Sequence, residues 1–191
     1  MTDLKHKLTA RLPGKQHILP VFSVIVFIIF TWMLYNFFFQ IPSWLFYMKA
    51  VEILILLAYV MSYSLIESLL VLGSILLLCM IFPSKYFKDN FIPQGTVLVI
   101  LISMIAYFLR LRMESISKLE IENQITAWLI ITTAILLGMA LLVIILTKLF
   151  DRFPGLTRGI ASLANRMIVF SYIYVPLGLV GLLVVIIRNI F

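Results

Sequence analysis

The side chains best placed to do chemistry lie in the stretch AYVMSYSLIESLLVLG, residues 58–73, where one carboxylate, Glu67, interrupts an apolar run. If this stretch is helical, residues are set 100° apart, so Tyr63, Glu67 and Ser74 fall within about 40° of one another. Ser64 lies about 60° to the other side of Glu67. Tyr63, Ser64, Glu67 and Ser74 together are the candidate intramembrane polar site, a stripe expected to face protein or water rather than lipid. An ionised acid at the centre of a spanning helix costs about 2.5–3.5 kcal/mol on insertion scales, so Glu67 is expected to be neutral unless it is paired. Such a group can relay a proton or cation, or orient a ligand in a cavity. It can equally make a plain interhelical hydrogen bond, worth about 0.6–2 kcal/mol, to a Ser, Thr or Tyr on a neighbouring span.

Other reactive constellations are not seen in the chain. Its two histidines, His6 and His17, precede the first apolar run, so none sits where it could ligate haem, copper or di-iron inside a membrane. Cys79 is the single cysteine, which excludes an intrachain disulfide and a thiolate metal cluster. No Ser/His, Cys/His or paired-aspartate arrangement falls on a membrane surface. The expectation is therefore no catalytic residue, no metal and no cofactor.

The elements that must position Glu67 follow from composition. Of 191 residues, 63% are hydrophobic and 12% charged, and several apolar runs reach the roughly 20 residues needed to cross a hydrocarbon core of about 30 Å as a helix. Lipid offers the backbone no hydrogen-bond partners, and the runs lack the alternation of barrel strands, so the spans must be helices. The predicted class is all-α: a polytopic membrane protein with short loops and no length left for a soluble catalytic domain. Residues 1–17 form a basic N-terminal segment. Residues 18–191 form a single membrane domain with spans at about 18–39, 53–82, 95–111, 126–147 and 167–188. The first run is too long for a secretory h-region and is read as a retained span.

Residues 43–82 are the ambiguous part, since they either cross once from about residue 53 or fold into a hairpin near Ser62–Ser64. The positive-inside rule separates the two readings. Five spans with a cytoplasmic N terminus place ten of the fifteen Lys and Arg inside, whereas six spans place eight inside. No Gly, Pro, Asn or Asp occurs between Pro42 and Gly73 to make a tight hairpin. Five spans are therefore expected and six disfavoured, with the N terminus inside, the C terminus outside, and residues 43–52 lying in the interface. The formal charge of +7 would suggest nucleic acid in a soluble chain. Here the basic residues sit at the ends of apolar runs, which points to topology and lipid headgroups and to no nucleic-acid partner.

Three further segments carry expectations. In KLFDRFPGLTRGIASLANRM, Leu156, Ile160, Leu163 and Met167 are spaced as the apolar side of a short amphipathic helix. Its Arg158 and Arg166, with Arg152 just before it, are expected to meet lipid headgroups or a partner. Pro176 predicts a kink in the last span, and Gly178 and Gly181 permit close helix approach. The first span is crowded with aromatic rings, among them Phe27, Phe30, Trp32 and Phe37–Phe39, suited first to lipid on all sides and otherwise to a flat apolar ligand such as a carotenoid or quinone tail. The function expected is a non-catalytic subunit or accessory protein of a larger membrane assembly, in a prokaryotic cytoplasmic membrane. Its expected partners are lipids and other membrane subunits or further copies of itself. The alternative is a small oligomeric transporter or channel with Glu67 in its pathway.

Overall fold

A computed structural model describes residues 13–81, 91–117 and 121–190. They form five helices: α1 (Lys15–Trp44), α2 (Ala50–Ile81), α3 (Phe91–Ser117), α4 (Ile121–Arg152) and α5 (Pro154–Ile190). The described residues include no strand. Each expected span coincides with one helix over its described residues, residue 82 at the end of the second lying outside them; at 1.5 Å per residue the helices are about 40–55 Å long, beyond the hydrocarbon thickness. Four carry stretches long and apolar enough to cross a membrane, and α4 carries a shorter apolar stretch, Gln124–Ile135. The chain is an all-helical polytopic membrane protein.

The ambiguous stretch is resolved by α2, which runs unbroken through Ser62–Ser64. Nothing in that sequence breaks a helix. The reversal comes earlier, at residues 45–49, after α1 has carried on through Pro42 to Trp44. Glu52 closes this turn by accepting the Lys49 backbone N–H at 2.8 Å, which satisfies one of the orphan donors at the start of α2. Phe46 and Tyr47 at its tip are 83% and 88% exposed, as headgroup-level aromatics are.

The expected flat helix after Pro154 is not a separate element. Phe153 alone separates α4 from α5, and Pro154 occupies the first position of a 37-residue helix that continues through the last span. A proline at the first helical position loses no intrahelical bond. No proline follows until Pro176, so nothing in the sequence separates the basic segment from the span. α5 is also assigned as continuous across Pro176.

α5 packs against all four other helices, most closely α2 and α1, which also pack on each other; α3 lies against α1 and α5, and α4 is at the edge, mainly against α3. One apolar cluster joins Val21, Val24 and Ile25 of α1 to Ile75, Leu98 and Ala164; a second joins Val26 and Phe30 to Met61 and Leu65. Lipid tails are as apolar as leucine, so close fit and not water exclusion must hold such a bundle. The fit comes from small residues. A Cβ on Gly178 would lie 2.8 Å from the Leu65 Cβ, and one on Gly95 3.1 Å from both γ-carbons of Val21. Contrary to the expectation that the α1 rings all face lipid, Phe30 and Phe37 are buried. Phe27 meets Phe170 at 4.6 Å and Phe30 stacks on Tyr174 at 5.1 Å between centroids.

Candidate functional site

Glu67 sits near the middle of α2, on the shoulder between its buried and exposed sides. Four neighbours on the buried side are serines or apolar residues: Ser64, Leu65, Ser68 and Ile75. Tyr63 and Ser74 lie further round on the exposed side. The expected stripe is thus divided. Ser64 is fully buried and donates to the Val60 carbonyl at 2.8 Å, whereas the Ser74 hydroxyl donates to the Leu70 carbonyl at 2.9 Å. The division follows from the wheel: Ser64 is about 60° from Glu67 on the side that α1 and α5 cover.

Glu67 opens into a groove of about 590 Å³ formed with α1 and α3, within the roughly 300–1,000 Å³ usual for small-molecule sites. From α1 come Phe27, Ile28, Ile29, Thr31, Trp32 and Tyr35, and from α3 Ser103, Ala106, Tyr107 and Arg110. The two walls have the same construction. Ile28, Thr31, Trp32 and Tyr35 follow the i, i+3, i+4, i+7 rule, and so do Ser103, Ala106, Tyr107 and Arg110, so each set occupies one helix face. Trp32 and Tyr107 meet edge to face at 5.8 Å between centroids. Arg110 places its guanidinium 5.6 Å from the Trp32 centroid and donates to the Asn36 carboxamide oxygen at 3.4 Å.

These contacts place the two charged groups along the groove. Leu65 packs in one cluster with Val26 and Phe30 of α1, whereas the Arg110 guanidinium lies beside Trp32 and Asn36, nearer the C-terminal end of α1. The groove therefore runs from a carboxyl group near the middle of α2 to a guanidinium at the end of the apolar stretch of α3, with aromatic walls between. Among the described residues, Glu67 has no hydrogen-bond partner and Arg110 pairs with no carboxylate. The hydroxyls of Tyr35 and Tyr107 are likewise without a hydrogen bond among those residues.

In the sequence Arg110 is one of the basic residues at the ends of apolar runs, and Trp32 is one of many rings in α1. The matching heptad-like spacing on the two helices was the available signal. What it could not supply is that α1 and α3, seventy-odd residues apart, run side by side in the same direction.

The other polar features have structural roles. Ser23, Ser62, Ser68 and Ser171 are buried, and each donates to a carbonyl of its own helix at 2.6–3.0 Å. They need no partner across an interface and act as small packing residues. Gln94 Nε2 donates to Thr147 Oγ1 at 3.1 Å, linking α3 to α4, while Gln94 Oε1 and Thr96 Oγ1 are buried without a hydrogen-bond partner among the described residues. Arg152, Arg158 and Arg166 are all exposed, Arg152 and Arg158 at the α4–α5 turn and Arg166 about three turns along α5, and Arg152 lines an open hollow at the turn with Phe153, Leu156 and Leu163. Among the described residues no three His, Cys, Asp or Glu side chains come together to hold a metal. No protein-family model, no curated protein and no solved structure matches this chain.

Proposed function

We propose that the chain is a non-catalytic integral membrane subunit or accessory protein of a larger assembly. One observation carries this reading. Tyr63, near the middle of α2, is 67% exposed on the outer side of the helix, and its hydroxyl has no partner among the described residues. A hydroxyl turned into hydrocarbon without a hydrogen bond is costly. A transmembrane helix of another chain, laid against α2, offers that bond and covers Ser74 and the adjoining leucines as well. Arg152, Arg158 and Arg166 serve the same assembly by contacting anionic headgroups at its edge. The proposed setting is a prokaryotic cytoplasmic membrane with the N terminus inside, supported by the ten-to-five division of Lys and Arg.

Purification in a mild detergent, followed by identification of stoichiometric companion chains, tests the proposal. Companions are expected with the wild type and are expected to dissociate with Tyr63→Leu. Recovery of a lone monomer under conditions that preserve helicity would sink it.

A second reading, a small oligomeric transporter or channel, is favoured by one specific feature: the groove that joins Glu67 to Arg110. There Glu67→Gln is expected to abolish flux in reconstituted vesicles while leaving assembly intact. Unchanged flux removes this reading.

A further inference from the structure

We infer that the groove between α1 and α3 binds an anionic amphiphile. The anionic head lies on Arg110, the apolar body lies against Phe27, Ile28 and Ala106, and a hydrogen-bonding group further along the body meets Glu67.

The head position follows from Arg110. A guanidinium has five N–H donors and keeps its charge at any ordinary pH. One of its nitrogens donates to Asn36 and the group lies beside Trp32, and most of its N–H donors are left outside that hydrogen bond. They can take a carboxylate or phosphate in a charge-assisted, bidentate contact. Tyr35 and Tyr107 bring two more hydroxyls to the same end of the groove. This end lies at the limit of the apolar stretch Phe91–Arg110, the depth at which lipid-like molecules carry their anionic groups.

The lower end selects among such molecules. An ordinary saturated chain reaching mid-span would lie against Glu67 and leave its carboxyl group without a hydrogen bond. A hydroxyl or similar donor at that point satisfies it, and a site with a polar group waiting discriminates against a ligand that lacks the matching one. Ser103 does not fill the role, because its hydroxyl donates to the Val99 carbonyl at 2.9 Å. A cationic amphiphile matches the Glu67 end but brings like charge toward Arg110. An anion headed at Arg110 answers both ends.

The site concerns the groove that favours the transport reading, but it does not require transport. Binding without flux would overturn that reading and leave this one in place.

The test uses the full chain in discs of zwitterionic lipid, with Trp44 and Trp128 changed to Phe so that Trp32 alone reports. Decanoate, its ω-hydroxy analogue and decylamine are the probes, titrated against Trp32 emission. Saturable binding of decanoate is expected, with the hydroxy analogue several-fold tighter. Arg110→Gln is expected to weaken both at least tenfold, and Arg110→Lys to retain most of the binding, which separates lost binding from lost folding. Glu67→Leu is expected to erase the advantage of the hydroxyl group and Glu67→Gln to keep it. A response that never saturates, equal binding by Arg110→Gln, or decylamine binding as tightly as decanoate overturns the proposal. Equal affinity of the wild type for decanoate and the hydroxy analogue overturns the part assigned to Glu67.

Discussion

Gly181 lies so close to α2 that a Cβ on it would sit 2.6 Å from the carbonyl oxygen of Ala58 and 3.0 Å from the Met61 Cβ. The obstacle at the first position is backbone, which cannot swing aside as a side chain can. The α2–α5 seam is therefore built on the absence of a methyl group.

Gly181→Ala is expected to push α5 away from α2 and lower stability by about 1–3 kcal/mol, the usual cost of overpacking. Gly181→Leu is expected to prevent the seam from forming. Thermal unfolding in detergent, followed by helical circular dichroism, measures the first. Crosslinking between cysteines placed on α2 and α5 reads the second.

Gly159, on the same helix, predicts the opposite sign. A Cβ there meets nothing within 4 Å, and the residue lies inside the continuous first part of α5. Gly159→Ala is expected to raise stability by up to about 1 kcal/mol through helix propensity alone. A lowered midpoint in the same melt would mean that this face of α5 is covered.

Thr147→Val removes the acceptor of the Gln94 carboxamide, leaving a buried amide with no described partner at either of its polar atoms. A loss of about 1–3 kcal/mol is expected. Adding Gln94→Leu removes the stranded group, so the double variant is expected to regain much of that loss. Comparing the double variant with the two single ones in a mutant cycle checks this. Additive losses would show that the pair is not coupled.

Ser68→Ala is expected to change stability by less than about 1 kcal/mol, because its hydroxyl donates 2.6 Å to the Ser64 carbonyl within α2 and satisfies nothing across the interface. Ser68→Leu at the same buried position is expected to destabilise the bundle through volume. A large effect of the alanine change would indicate a polar role for that seam.

Much of this was legible in the residues themselves, for identifiable reasons. Helices at the five expected spans follow from run length, because a bilayer leaves the backbone no other way to satisfy its hydrogen bonds. An unbroken helix through Ser62–Ser64 follows from the absence of turn residues there. Gly178 and Gly181 stand out as close-approach positions because small residues govern helix association in lipid. The separate amphipathic helix after Pro154 was misplaced, since apolar spacing reports which face of a helix is greasy and is silent on whether the helix bends before the next segment.

The sequence by itself determined that Glu67 lies near the middle of a long apolar helix, because an unbroken apolar run of this length has no other way to satisfy its backbone. Only the tertiary structure decided what Glu67 faces. Ser64 and Glu67 are neighbours on the wheel, yet α1 and α5 cover one and leave the other open to a groove. The other charged group of that groove, Arg110, is forty-three residues away in the chain. No local pattern could have linked them, because the link is the parallel packing of α3 on α1, and that packing depends on the shapes of faces that meet only when the bundle is assembled.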